Sequence, residues 1–244
     1  MRLLVDIGNT QVKYVFQQTD DESMFSDVVY LDYQPFLQAL ASKDFADVSE
    51  LIVANVHANN VLVEIEAWAS AQNIAFLQVQ SQAKAFGVSS SYLQPESLGV
   101  DRWLAIIAAH QLYPQQNVLI IDAGTATTVD LLAANGQHLG GWIMPGVQTM
   151  FTGLLSNTQK IVAEPIHIAN VSFGINSSQC LNHGVWAMTI GAIKEAIVQA
   201  NKLLTVNKVL LTGGNSEQLA DLINDDYELA PSLIFHGLSC FHAS

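Results

Sequence analysis

At 244 residues the chain is long enough for one large domain or two small ones, and with half its residues apolar and 13% charged it reads as globular. A net charge of −13 speaks against a nucleic-acid surface, which needs a basic face to replace counterions, and against an anionic membrane. Nor does any stretch approach the ~20 apolar residues that span a bilayer.

The apolar run after Arg2 is cut short by Asp6 and makes no signal-peptide core. Two cysteines, Cys180 and Cys240, are too few for a disulfide framework and suit a reducing compartment. A cytoplasmic protein is expected, with both thiols inert and buried or near-terminal.

Residues 2–6 predict a buried strand that runs into the turn Asp6-Ile7-Gly8-Asn9-Thr10-Gln11. Beyond it Val12, Tyr14 and Phe16 alternate with Lys13, Val15 and Gln17, the period of a second strand closing a hairpin. Asp20, Asp21, Glu22 and Ser23 read as a solvated acidic loop. Strands are then expected over 28–31, 51–56 and 74–79, with helices over 35–42 and 60–72. Residues 80–98 read as a loop, long enough to suggest function. A helix opens at Gly99-Val100-Asp101-Arg102, with Leu104, Ile107 and Ala108 on one face, and Pro114 ends it.

The second half repeats the scheme. A strand ends at Asp122, the turn Ala123-Gly124-Thr125 follows, and a strand returns over 127–132. Asn135-Gly136 makes a tight turn into a strand that reaches Gly140-Gly141-Trp142-Ile143-Met144-Pro145-Gly146. Helices are expected over 147–158 and 179–204. In the longer one Trp186, Ile190, Ile193 and Ile197 recur at helical spacing, and Val185, Met188, Ala192 and Ala196 form a neighbouring apolar stripe. So wide an arc is covered either by the core, the first expectation, or by a second copy. A strand over 208–211 leads to Thr212-Gly213-Gly214-Asn215-Ser216 and a helix through Ile223. The halves meet near 113–116, giving an α/β arrangement with mixed sheets.

The chemistry lies in the two Asp-x-Gly turns. Glycine lets the backbone approach a ligand, successive N–H groups with Asn or Thr side chains make an anion nest, and an Asp at a strand end holds a hard cation through oxygen. Two such turns facing each other would clamp a metal-bound polyphosphate, although either alone also reads as an ordinary hairpin. Neither a Walker A loop nor a Rossmann G-x-G-x-x-G is present, and no Gly-x-Ser-x-Gly supports acyl transfer. His57, His110, His138, His167, His183, His236 and His242 form no His-x-x-x-His pair, so zinc is not expected.

Asp6-Ile7-Gly8-Asn9-Thr10…Lys13, Gly99-Val100-Asp101-Arg102, Asp122-Ala123-Gly124-Thr125-Ala126-Thr127 and Gly140-Gly141-x-Ile143-x-Pro145-Gly146 stand in one order over most of the chain. Together they resemble the type III pantothenate kinases. The resemblance implies a two-lobed actin-like ATPase (ribonuclease H-like) fold with duplicated mixed-sheet halves and the active site in the cleft between lobes. Residues 1–113 would form the lobe with the first phosphate turn and Asp101. Residues 114–244 would carry the second phosphate turn and the Gly213-Gly214 turn against adenosine. The implied reaction moves the γ-phosphoryl of ATP to pantothenate, the first step towards coenzyme A, in a homodimer.

By the same resemblance Asp101 is the general base, although an Asp at a helix start also serves as a cap. Asp6 orients Mg²⁺, Asp122 helps bind a monovalent cation (K⁺ or NH₄⁺), and Thr125 faces the phosphates. Residues Asp6, Ile7, Gly8, Asn9, Thr10, Gln11, Val12 and Lys13 line the ATP site. Lys13 either neutralises phosphate or is the outward residue of its strand. Gly99, Val100, Asp101 and Arg102 meet pantothenate, with Arg102 alternatively a salt-bridge partner. Tyr92 either touches the substrate or is a buried loop aromatic. Where the family usually shows Asn-Thr before the long late helix, this chain has Asn176-Ser177, so Ser177 keeps the hydroxyl of the substrate contact and loses a methyl. A regulatory, non-catalytic relative and a kinase for another small alcohol are the competing readings. Retention of Asp6, Asp101 and Asp122 together speaks against the regulator.

Overall fold

The structure, a computed structural model, describes all residues except 19–24, 43–44, 58–59, 167, 224–225 and 244. The acidic loop expected at 20–23 and His167 therefore lie outside the described residues. The chain divides into two compact units, Met1–Gln111 with Ser232–Ser244, and Leu112–Pro231.

In the first unit, β1 (Arg2–Ile7) and β2 (Val12–Gln17) form the expected hairpin, followed by β3 (Val29–Leu31), α1 (Tyr33–Ala39), β4 (Glu50–Asn55), α2 (Val61–Ala71) and β5 (Ala75–Gln78). The sheet order is β3-β2-β1-β4-β5. β1 pairs antiparallel with β2 and parallel with β4. The stretch read as loop over 80–98 holds a small hairpin, β6 (Lys84–Ala85) and β7 (Val88–Ser89), and a 3₁₀ turn, Pro95–Ser97. It delivers the chain to α3 (Val100–Leu112).

Period-two alternation decides what each face of this sheet does. Leu3, Val5 and Ile7 of β1, Val12 and Tyr14 of β2, and Leu51 and Val53 of β4 pack with Phe36, Ile65 and Ala69 from α1 and α2. The even positions of β1 turn the other way. Leu4, with Val15, Ile52 and Ala54, packs against Val100 and Leu104 of α3 and against Ile234, Phe235 and Leu238. Asp6 and Lys13, which are register partners, sit on this second face by the same alternation. The hairpin pattern thus aims both charges at the side of the sheet that α3 covers.

The second unit repeats the plan with β8 (Val118–Ala123), β9 (Ala126–Leu132), β10 (His138–Pro145), α4 (Val147–Ser156), α5 (Ser177–Leu203), β11 (Lys208–Thr212), α6 (Ser216–Leu222) and β12 (Glu228–Leu229). Its order, β10-β9-β8-β11-β12, matches the first sheet strand for strand. Asp6 and Asp122 each stand one residue before the end of their leading strand. The core expectation for α5 holds on one side: Trp186, Ile190, Ile193, Ala196 and Ala200 pack on Leu119, Ile121, Val129 and Leu211. Met188, at 65% exposure, faces outward.

Two features depart from the sequence reading. α3 is buried nearly all round, with Val100 and every residue from Arg102 to Ala109 inaccessible, rather than along one face. The last helix, α7 (Leu233–Ser239), was not anticipated, and residues 232–244 pack in the first unit instead of the second half that a division at 113/114 assigned them. The reason is contact chemistry. α7 lays Ile234, Phe235 and Leu238 on the α3 side of the first sheet, and buried Arg2 ties the tail down. Its guanidinium pairs with Glu50 at 2.8 Å and donates to Gln17 Oε1 at 2.6 Å, to the Ser239 carbonyl at 3.1 Å and to the Phe241 carbonyl.

α7 lies against α3 with no room to spare, since a Cβ on Gly237 would stand 2.2 Å from the Leu104 carbonyl oxygen. Because backbone must move to admit a methyl there, Gly237→Ala is expected to destabilise by about 2–3 kcal/mol. A thermal melt of the variant reads this as a drop of roughly 5–10 °C.

Candidate active site

At the end of β1 Asp6 is 3% exposed, and Lys13 Nζ stands 3.5 Å from its Oδ2. Burial pushes the Asp6 carboxyl above its usual pKa; Lys13 pulls it down, and the charge of Asp101 pushes it up. Asp6, Lys13 and Asp101 therefore lie near enough for their charges to bear on one another. After β1, Gly8 N–H donates to the Gln11 carbonyl at 3.0 Å, closing a tight turn with Asn9 and Thr10 exposed at its tip.

Asp101 opens α3, and its Oδ1 accepts the Arg102 backbone N–H at 2.8 Å. Gly99 leaves the space the carboxylate occupies, because a Cβ there would stand 2.6 Å from Asp101 Oδ1. Arg102 is 5% exposed and donates from Nη1 to Tyr92 Oη at 2.9 Å. The loop before them is pinned by Ser81 Oγ donating to the Leu98 carbonyl at 2.7 Å. Tyr92 and Arg102 thus form one polar unit beside Asp101. The sequence-predicted group Asp6, Lys13, Tyr92, Gly99, Val100, Asp101 and Arg102 falls within the first unit.

The second unit gathers its own set. Gly124 N–H donates to the Ala126 carbonyl at 2.9 Å, and the Thr125 carbonyl accepts from Gly146 N–H at 3.0 Å and from Thr149 Oγ1 at 2.7 Å. The Gly213-Gly214 turn closes on the same strand end, with Asn215 N–H donating to the Ala123 carbonyl at 2.9 Å. Gly213 takes φ +89°, and a Cβ on it would stand 2.3 Å from Asp122 Oδ1. Only glycine suits that conformation and that approach. Asp122, Thr125 and Gly213 are hence brought together.

Ser177 is the exposed first residue of α5, behind Asn176, whose side chain accepts from Gln179 N–H at 2.9 Å. It borders an open apolar groove of about 1060 Å³ that includes Met150, Leu154, Ile175, Leu181 and Met188. Cys180 lies in the same groove and is exposed, against the expectation of a buried thiol, because the α5 face that carries it turns away from the core. Cys240 is half-buried, and its Sγ donates to the His236 carbonyl at 3.4 Å. Sequence reasoning missed Tyr33, whose hydroxyl reaches the Gly8 carbonyl, and Thr149, which braces the Thr125 carbonyl. Nothing in the local sequence marks either.

Two five-stranded sheets of one order, each leading into an Asp-x-Gly turn, give the α/β fold seen in actin-like ATPases and sugar kinases. Solved structures agree on the fold. One described as a conserved Baf family transcriptional activator from Campylobacter jejuni superposes with a TM-score of 0.62 at 22% identity, over 98% of this chain and 96% of that one. Another, described as a 2-dehydro-3-deoxygalactonokinase from Sinorhizobium meliloti, gives 0.56 at 12% identity, over 98% and 97%. The family model of type III pantothenate kinase matches residues 2–199. A type III pantothenate kinase of Colwellia psychrerythraea is 41% identical over 98% of both chains. The chain belongs to the type III pantothenate kinase family.

Proposed function

We propose that this chain phosphorylates pantothenate with ATP, giving 4′-phosphopantothenate and ADP, and that Asp101 is its general base. The observation that carries the reading is the convergence of Asp6, Lys13 and Asp101 on one face of the first sheet, beside the Tyr92–Arg102 pair.

In the first unit the turn from Asp6 to Lys13 takes the phosphates: backbone N–H groups and the Lys13 ammonium meet their charge. Mg²⁺ fits here. Asp6 is buried with a second carboxylate near, and among the described residues no group of three or more His, Cys, Asp or Glu side chains is placed to cage a metal alone. One carboxylate, waters and substrate phosphates are the usual ligands of Mg²⁺. When bound, it neutralises charge developing on the phosphate oxygens. Arg102 and Tyr92 hold pantothenate, Arg102 pairing with its carboxylate. As the acceptor oxygen bonds to the γ-phosphorus and the bond to the ADP oxygen breaks, Asp101 takes the hydroxyl proton. The step comes late because the transition state is loose.

In the second unit we assign Thr125 to the phosphates, Gly213 and Gly214 to adenosine, and Asp122 to K⁺ or NH₄⁺, supported by the close grouping of these residues. The apolar groove over α4 and α5, with Met188 at its edge, supports a homodimer in which Ser177 contacts the partner's pantothenate. A cytoplasmic enzyme is our reading, and no described helix is long and apolar enough to cross a membrane.

ADP release measured with and without pantothenate, Mg²⁺ and K⁺ tests the reading. Turnover needing all three is expected; release indifferent to pantothenate would refute the substrate, and release indifferent to K⁺ would refute the Asp122 assignment.

A further inference from the structure

The first phosphate turn is gripped from outside by the residues that open α1. Tyr33 Oη donates to the Gly8 carbonyl at 2.7 Å. Gln11 Nε2 donates to Asp32 Oδ1 at 3.4 Å, and Gly8 N–H closes the turn onto the Gln11 carbonyl. Two adjacent side chains, Asp32 and Tyr33, thus hold the two ends of the turn.

Tyr33 is itself backed by His57, whose ring stands edge-on at a centroid distance of 5.1 Å. His57 is anchored through its backbone N–H to Asn55 Oδ1 at 2.9 Å. Asn55 is the register partner of Ile7, and Val56 N–H donates to the Ile7 carbonyl at 3.0 Å. The chain of contacts therefore starts and ends on the last residues of β1, so the phenol is placed relative to the turn it holds. Burial raises the Tyr33 pKa above its ordinary value, which already leaves the phenol protonated near neutral pH.

The geometry has a directional consequence. The Gly8 carbonyl and the Asn9 N–H belong to one planar trans peptide, in which they point to opposite sides. Fixing the carbonyl on Tyr33 fixes the Asn9 N–H away from it. We propose that Tyr33 is a positioning residue for phosphoryl transfer, its hydroxyl setting the Gly8–Asn9 peptide so that the Asn9 N–H is aimed at an ATP phosphate. This rests on the ATP-site reading of the turn given above.

The test uses the full-length Tyr33→Phe and Tyr33→Leu variants, with Asp6→Asn as the control on the site itself. Loss of one oriented hydrogen bond corresponds to about a five- to tenfold rise in KM for MgATP. That rise is expected in both Tyr33 variants, with KM for pantothenate unchanged, and a lowered melting temperature only in Tyr33→Leu, which also loses the ring. A wild-type KM for MgATP in Tyr33→Phe, with MgATP binding abolished in Asp6→Asn, would overturn the role of Tyr33 and leave the site reading standing. A KM that rises only in Tyr33→Leu, in step with its loss of stability, would reduce Tyr33 to packing and also overturn the proposal. Normal MgATP binding in Asp6→Asn would refute the site reading instead.

Discussion

Asp101→Asn is expected to lower kcat by about 10²–10⁴-fold, the range that a positioned general base contributes. Its fold and its MgATP affinity should be preserved, because Asn keeps the oxygen that accepts the Arg102 N–H. The same geometry supplies a companion experiment. In Gly99→Ala the new methyl would stand 2.6 Å from Asp101 Oδ1, so the carboxylate must swing aside while the backbone stays. A displacement of that order costs roughly 10²-fold in rate. Steady-state kinetics with both substrates varied separates these cases from a loss of binding.

The second large effect is at Asp6, where activity and stability are expected to move in opposite directions. Its folded-state pKa lies above the ordinary value of 3.8 because burial, reinforced by Asp101, outweighs the attraction of Lys13. As pH rises past the unfolded pKa the unfolded chain releases this proton while the folded protein still holds it. Stability therefore falls with rising pH until the folded group also ionises, and the penalty stays above that point. Asp6→Asn removes the penalty. Its melting temperature is expected to match wild type below the unfolded pKa and to exceed it by a margin that grows with pH until the folded wild-type group ionises. Above the folded pKa, where wild-type Asp6 is a carboxylate, the variant should have lost MgATP binding, since its neutral amide does not attract a cation. Melts of both proteins across pH check the stability half of the prediction, and calorimetric titration with MgATP checks the other.

Much of the arrangement was legible because its signals are local. Alternation in 2–17 fixes the hairpin, and with it the face that carries Asp6 and Lys13; the second Asp-x-Gly turn and the order of motifs announce the duplication. What was not legible depends on distant contact. A seven-residue helix, Leu-Ile-Phe-His-Gly-Leu-Ser, is too short for periodicity to establish and carries a glycine that argues against helix, so α7 was missed; Gly237 is explained only by the Leu104 carbonyl beside it. The two-residue β12 has no pattern at all. The sheet and α7 both pack on Val100 and Leu104 of α3, a pairing that composition does not reveal. Tyr33 lies 25 residues from Gly8, and the hydrogen bond between them becomes visible only when β1 and α1 are in place. The exposure of Cys180 likewise depends on which side of α5 meets the sheet.

The most direct measurement of the central claim is the transfer of labelled γ-phosphoryl from ATP to pantothenate, with the product identified by mass and the reaction run side by side for wild type and Asp101→Asn. The account predicts phosphopantothenate from wild type and a rate reduced by orders of magnitude in the variant, with ATP still bound. Equal transfer by both proteins, or ATP binding without any transfer by wild type, would contradict it.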